Sequence, residues 1–366
     1  WQAMNLSFLK SYNKHKLHKL SQIITDLNSK RNISLFTFLS LLLILTLLLN
    51  ISFGQVSIPI KEVVKSILGS SVEKETWEYI ITNYRLPKAI TAILVGISLS
   101  VSGLLMQTFF RNPLAGPYVL GLSSGSSLGV AFVVLGSSFL PAVIAQFFVS
   151  SYGIILASCV GSLFVLLLIV LVSKYLRDVM SILIVGLMFS SFTSAIVNIL
   201  TYFSTAEQLQ KYTFWSMGNI GNISWQNIGF LSVVIFIGTL LSIASLKPLD
   251  ALLLGENYAK SMGLNFKKTQ NIIILSTSIL TGSITAFVGP IAFIGLAVPH
   301  LTKLLFQTSN HKILFIGTIL IGSIIMLLCD LISQMPMSDF TLPINAITSL
   351  VGAPIVIWLI IKRKTI

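Results

Sequence analysis

From Ala89 to Phe110 the chain runs without a single charged side chain. At ~1.5 Å of rise per residue, a helix of this length crosses the ~30 Å hydrocarbon core of a bilayer. Arg85 and Lys88 stand at its start, and a polar corner closes it, Arg111-Asn112-Pro113-Leu114-Ala115-Gly116-Pro117. Two prolines four positions apart forbid a continuous helix through that corner, because each lacks a backbone donor and restricts the residue before it. The chain then turns back into apolar sequence studded with small residues, Gly121-Leu122-Ser123-Ser124-Gly125-Ser126-Ser127-Leu128-Gly129. Such a run lets another helix backbone approach closely within a membrane.

Runs of this kind recur. Ten apolar segments are predicted, at roughly 33–53, 88–109, 118–137, 143–172, 181–203, 226–246, 270–288, 291–306, 313–333 and 343–361, the third and eighth short or rich in Gly and Pro. Hydrophobic residues fill 54% of the 366 positions and charged residues 10%, against ~25% charged in soluble domains. The fold class that follows is an all-α membrane protein of about ten transmembrane helices. The stretch 281–303 mixes Gly, Pro and small residues in the second half much as 112–129 does in the first. Broken helices in corresponding positions of two halves point to an inverted repeat.

Charge sets the orientation. Of the 24 Lys and Arg residues, eighteen fall on the side of the N-terminus and six on the other: Lys61, Lys65, Lys74, Arg85, Lys88 and Lys211. The excess of basic residues on the cytoplasmic side puts both termini there, so the net charge of +13 is a topology signal and calls for no nucleic acid. Residues 1–32 form a basic cytoplasmic segment. Trp1-Gln2-Ala3 precede Met4 and read as a non-native addition. Leucines and isoleucines spaced among the lysines of this segment suit either a helix lying on anionic lipid or a solvated lead-in. Residues 33–366 form one transmembrane domain, with a cytoplasmic loop at 247–269.

Outside, Gly54–Tyr84 is the longest segment, with a short helix expected over Ile58–Leu68, and Tyr202–Trp225 is a polar stretch rich in aromatic residues. Inside, residues 252–265 read as two short helices around a glycine, with leucines exposed on the cytoplasmic side. Exposed apolar residues of that kind want a partner. Cys159 and Cys329 sit in apolar runs and read as small buried hydrophobes. The four histidines have no ligand spacing, so no metal site is expected. Asp330 is the only acid inside an apolar run. It has two readings, a hydrogen-bonding role at the outer end or a place on a pathway.

The motifs come in a fixed order. R-L-P-K-A-I-T-A-I-L-V-G at 85–96 is followed by R-N-P-L-A-G-P-Y-V-L-G-L-S-S-G at 111–125, W-S-M-G at 215–218, L-G-E-N-Y-A-K-S-M-G-L at 254–264 and L-P-I-N-A-I-T-S-L-V-G-A-P at 342–354. Over about nine-tenths of the chain this resembles the permease subunits of ATP-driven importers for iron complexes (ferric siderophores, haem) and cobalamin. Lys88, Met262 and Asn345 depart from the commoner arginine, leucine and glycine. The resemblance implies the type II ABC importer permease fold in a bacterial cytoplasmic (inner) membrane. It implies docking of an extracytoplasmic binding protein at Arg85 and Lys88, their charges facing outward. It implies a cytoplasmic gate at Asn112, Pro113 and Leu114. Coupling to an ATPase would run through Leu254, Gly255, Glu256, Tyr258, Ala259, Met262, Gly263 and Leu264, with Ala259 facing the ATPase groove. The pathway would be lined by the fifth and tenth segments and an external helix carrying Tyr212, Trp215 and Met217. Expected partners are a second copy or a paralogue, two ATPase subunits and the binding protein. ATP and Mg would sit on the ATPase, and this chain would bind no cofactor.

The sequence contains no G-x-x-x-x-G-K-[ST] loop, and Gly121–Gly129 lacks the lysine that would reach phosphates. The chain therefore reads as a permease and not as an enzyme. The expected cargo is an iron complex, with cobalamin as the alternative on the same architecture. An ion-coupled transporter needs titratable groups near mid-membrane, and Asp330 is off-centre. An intramembrane enzyme needs a constellation such as H-E-x-x-H or paired aspartates, and the apolar segments hold none.

Overall fold

The computed structural model describes residues 30–139, 141, 147, 150–173, 175–176, 179–221, 223–335 and 340–363. The basic segment before Lys30 and the first residues expected in the fourth apolar segment lie outside the described residues. The described elements are all helical. They are α1 (Lys30–Ser52), α2 (Ile60–Ile67), α3 (Glu75–Ile80), α4 (Leu86–Phe109), α5 (Leu122–Val134), α6 (Ser151–Ser173), α7 (Val179–Phe203), α8 (Ala206–Ser216), α9 (Trp225–Ala244), α10 (Leu246–Leu252), α11 (Glu256–Ser261), α12 (Phe266–Val288), α13 (Ile294–Phe306), α14 (His311–Ser333) and α15 (Ile344–Arg363).

Among the described residues, seven helices are long and apolar enough to cross a bilayer: α1, the continuous run Glu75–Phe109, α6, α7, α9, α12 and α14. Three further apolar helices are shorter, Leu122–Ser137, Ile294–Phe306 and Ile344–Trp358. Two of these follow a backbone break. Gly121 (φ 71°) precedes α5, while Gly289 (φ 84°) and Phe293 (φ 66°) separate α12 from α13. Each half thus carries a long buried helix, a kinked connection and a short helix.

A π-turn over Ile81–Arg85 joins α3 to α4. Pro87 follows that π-turn directly, at the second position of α4, and has no N–H to continue the helical ladder there. α4 is the axis of the bundle and packs on α9, α12, α13 and α14. Backbones meet there at glycine. A Cβ on Gly103 would stand 1.8 Å from the Gly295 carbonyl oxygen, and one on Gly161 would stand 2.1 Å from that of Gly125. Without side chains between them the helices gain van der Waals contact along their length, the main attraction available inside lipid. α1, α7 and α9 bear most of their apolar side chains outward. In a membrane protein that is the face that meets lipid or another chain.

The two ends of the bundle separate cleanly. Arg31 Nη2 donates to the Phe306 carbonyl at 2.8 Å, so the start of α1 and the end of α13 share one end with α10, α11 and the corner after α4. Asn50 Nδ2 donates to the Leu327 carbonyl at 3.1 Å, so the end of α1 and the end of α14 share the other with α2, α3 and α8. The expected helix in the first outer segment is α2, with Pro59 just before it. Of the two short helices expected over 252–265 one forms, α11, with Gly255 leading into it; α10 lies before that stretch and ends at Leu252.

Candidate functional site

The end carrying Arg85 and Lys88 corrects one expectation. Both charges point inward. Arg85 is buried, and its guanidinium donates to the carbonyls of Ile51 at 2.6 Å and Ser52 at 2.8 Å, and to that of Val56. The last carbonyls of a helix have no partner within it, and Arg85 supplies them for α1. Lys88 Nζ lies 3.0 Å from Asp330 Oδ1, and Asp330 is wholly buried. Asp330 Oδ2 accepts from Asn50 Nδ2 at 3.0 Å and from Gln334 Nε2 at 2.8 Å. A carboxylate out of contact with water must be paired and hydrogen-bonded. That requirement, absent from a reading of Lys88 as an outward-facing docking charge, turns the lysine inward.

A cavity of about 310 Å³ opens between α5, α7 and α8, lined by Ser123, Ser124, Ser127, Thr193, Ser194, Val197, Asn198, Tyr212 and Pro290. α8 is held over it by its own start. Thr205 and Gln208 form a reciprocal cap, and Gln208 Nε2 donates to Ser137 Oγ at 2.7 Å. Burial pushes the Tyr212 phenol above its ordinary pKa, opposed by a hydrogen bond with Ser127, so it stays neutral in ordinary buffers. Among the expected pathway residues only Tyr212 lines the cavity. The ring of Trp215 lies beside that of Tyr212, centroids 6.1 Å apart.

Met217 serves the backbone instead. Its carbonyl accepts from Asn345 N at 3.2 Å, Asn219 N donates to the Val288 carbonyl at 2.7 Å, and Ala292 N donates to Asn345 Oδ1 at 3.0 Å. These bonds stitch the break after α12 to the loop after α8 and the start of α15. Asn345, where the motif commonly has glycine, adds a bond that glycine has no atom to make.

Sequence reading missed the hydroxyl lining because Ser123–Ser127 was taken as a packing run. The signal was present in α7 as well. Thr193, Ser194, Val197 and Asn198 share one helical face at a spacing of three to four.

At the opposite end the corner folds as its residues dictate. Asn112 Oδ1 accepts from Leu114 N at 2.9 Å, closing a turn around Pro113, and Leu114 is exposed. On the elbow of α10 and α11, Leu254, Tyr258 and Met262 are all exposed, by 64%, 55% and 63%. Gly255 (φ 120°) and Gly263 (φ 86°) flank α11 in conformations that side chains rarely adopt. Glu256 pairs with Lys260 at 2.7 Å along the same helix. Leu264 packs partly buried against the core. Ala259 overturns a second expectation: it is fully buried. α11 lays its smallest side chain against its own chain, which brings the short helix close and turns the larger residues out.

A sequence profile of the FecCD transport family matches residues 42–362. The haemin transport system permease protein HmuU of Yersinia pestis is 31% identical over 89% of this chain and 95% of its own length. The vitamin B12 import system permease protein BtuC of Salmonella arizonae is 32% identical over 91% and 95%. A solved structure described as an inward-facing conformation of a metal-chelate type ABC transporter superposes with a TM-score of 0.79 at 29% identity, covering 90% of this chain and 99% of that one. PsaBC from Streptococcus pneumoniae, solved with a Fab, shares the fold at a TM-score of 0.53 and 18% identity over 82% of this chain.

Proposed function

The chain belongs to the FecCD transport family, its relatives include permeases of a haemin transport and a vitamin B12 import system, and on that premise we propose that it is the permease of an ABC importer whose cargo is a ferric siderophore with an oxygen-rich surface. The observation that carries the cargo reading is the cavity between α5, α7 and α8. Four serines, a threonine, a tyrosine and an asparagine line it, with Val197 and Pro290 as its apolar members. Hydroxyl and amide groups donate to carbonyl, hydroxamate and catecholate oxygens. A flat, mostly apolar macrocycle such as haem asks for an apolar or aromatic slot. The corrin amides of cobalamin also accept from hydroxyls, and the 32% identity to a vitamin B12 permease keeps that cargo as the second reading.

Family membership and the bias of basic residues support a reading of the rest of the assembly. Two copies, or this chain and a paralogue, face each other across the pathway, with about ten spans each and both termini in the cytoplasm. Two ATPase subunits, carrying ATP and Mg, dock on Leu254, Tyr258 and Met262. The corner at Asn112, Pro113 and Leu114 gates the inner end. An extracytoplasmic binding protein delivers cargo at the outer end. Because Arg85 and Lys88 point inward, they act in docking through the surface they hold in shape.

Uptake by cells lacking this chain, with and without its return, tests the reading with labelled ferric hydroxamate, haem and cyanocobalamin. Restored, ATP-dependent uptake of ferric hydroxamate is expected, with Tyr212→Phe and Asn198→Leu each raising the half-saturating concentration. Restored uptake of haem alone rejects the cargo reading. Restored uptake of cyanocobalamin alone selects the second.

A further inference from the structure

The elbow of α10 and α11 is tied to the rest of the chain at two directional points, and both lie at the end of α4 beside the Asn112–Leu114 corner. At the first, Arg111 Nη2 donates to the carbonyl of Leu252, the last residue of α10, at 2.7 Å. At the second, Asp250 Oδ1 accepts from the backbone N–H of His311 at 3.0 Å and lies 2.6 Å from its Nδ1. The other ring nitrogen, Nε2, is 3.0 Å from Thr108 Oγ1. A carboxylate only accepts, so Nδ1 carries the proton between them, and in the neutral ring Nε2 accepts from the Thr108 hydroxyl. His311 and Thr108 are both buried. One imidazole therefore bridges the elbow, the start of α14 and the last turn of α4.

Apolar contacts alone would not fix the elbow. Leu246, Leu249 and Leu252 bury one face of α10, but such contacts have no direction and tolerate sliding. A single hydrogen-bonded tie would act as a pivot. Two ties, one to Thr108 in the last turn of α4 and one to Arg111 just past its end, set orientation as well as position. Arg111 holds a left-handed backbone (φ 47°), a conformation that persists for such a side chain only when its surroundings hold it. Asn112 follows directly, with its N–H on the Gln107 carbonyl at 3.1 Å, so a shift in the last turn of α4 moves the corner with it.

We propose that Asp250–His311–Thr108 and Arg111–Leu252 form a two-point link that carries movement of the ATPase-contacting elbow to the inner gate, with Asp250, His311 and Arg111 as positioning residues. The inference rests on the importer reading above. The link is separate from the residues that meet the ATPase: Leu254, Tyr258 and Met262 are exposed, whereas His311 and Thr108 are buried.

The complex of permease, ATPase and binding protein, reconstituted in liposomes, tests it with ferric hydroxamate as the probe. Asp250→Ala and Arg111→Gln are expected to leave the ATPase copurifying in full. Each should lower cargo imported per ATP hydrolysed by about five-fold or more, the size of a modest coupling free energy, and the double variant should lower it further. Asp250→Asn keeps an acceptor oxygen facing His311 and should stay close to the unaltered chain. An unchanged import-to-hydrolysis ratio in the double variant overturns the link. So does loss of ATPase copurification in step with import, because the ties would then only fold the elbow. So does an Asp250→Asn variant as impaired as Asp250→Ala. Failure of the importer reading looks different: the unaltered complex then shows neither ATP-driven uptake nor stimulation of hydrolysis by the binding protein, and the link falls with it.

Discussion

Lys88 and Asp330 meet 3.0 Å apart where the start of α4 adjoins the end of α14, and the carboxylate has lost all contact with solvent. The lysine retains 21% of its side-chain exposure, so most of the desolvation falls on Asp330. Removing the cation leaves a buried carboxylate facing only two amide donors, from Asn50 and Gln334. Breaking a fully buried pair costs ~3–5 kcal/mol, and the partial exposure of Lys88 brings the expected loss for Lys88→Met to about 2–3 kcal/mol. Lys88→Met with Asp330→Asn should recover most of it. Thermal unfolding of the purified permease in one detergent ranks the three proteins. A single variant as stable as the unaltered chain would show that the pair contributes nothing.

Glycine contacts make a second prediction with its own control. A Cβ on Gly103 would stand 1.8 Å from the Gly295 carbonyl oxygen, whereas one on Gly229 in α9 meets nothing within 4 Å. Gly103→Ala forces α4 and α13 apart and should cost ~1–3 kcal/mol or more, as overpacking does. Gly229→Ala should be neutral, or stabilising by up to ~1 kcal/mol, because alanine is the better helix former. Equal thermal stability of the two variants would refute close backbone packing at Gly103.

Acid should loosen α2 before the rest. Glu62 lies outside the spanning helices, and its hydrogen bond from Lys65 at 2.8 Å holds its carboxyl below the ordinary value, aided by the backbone N–H of Glu73. A group depressed in the folded state contributes stability that is present above its unfolded value of 4.5 and lost as pH falls through its folded value. Protection of the α2 amides from hydrogen exchange, corrected for the intrinsic pH dependence of the exchange chemistry, should therefore fall below about pH 4.5, and Glu62→Gln should hold its protection constant across that range. A Glu62→Gln chain that keeps the acid response places its origin elsewhere.

Spans were legible because length and apolarity are local properties. The breaks were legible because Pro113, Pro117 and the Gly289-Pro290 pair forbid continuous helices. Where a polar side chain points depends on partners far along the chain. Arg85 read as an outward-facing docking charge until the carbonyls of Ile51 and Ser52 came to it from 34 and 33 residues away. Lys88 needed Asp330, and Thr108 needed His311, each more than 200 residues distant. The hydroxyl cavity escaped notice for the same reason: Ser123–Ser127 and Thr193–Asn198 are each an ordinary polar face within an apolar helix. Only their apposition under Tyr212 makes a lining. Ala259 was misjudged because spacing identifies the faces of a short helix without saying which one turns inward.

The turned-in Ala259 decides how the elbow must be tested. A bulky charge at 259 would disrupt the packing of α11 on its own chain, and lost ATPase binding would then report misfolding. Leu254 and Met262 offer the clean experiment, since both side chains are largely in solvent. A minority of interface residues, clustered near its centre, each cost more than ~1 kcal/mol when truncated, and a buried unpaired charge there costs more. Leu254→Glu and Met262→Glu should each weaken ATPase association about ten-fold or more, as a charge is then buried in an apolar contact. Thermal stability of the isolated permease should not move, because neither side chain packs within it. Gly263→Ala makes the converse case. Its Cβ would meet nothing within 4 Å, yet φ of 86° costs a side chain ~1–3 kcal/mol. That variant should lose local stability at the elbow, seen as faster hydrogen exchange across α11, with ATPase binding weakened only as far as the elbow opens. If both glutamate variants copurify the ATPase as fully as the unaltered chain, the outward face of α11 is not where the ATPase docks.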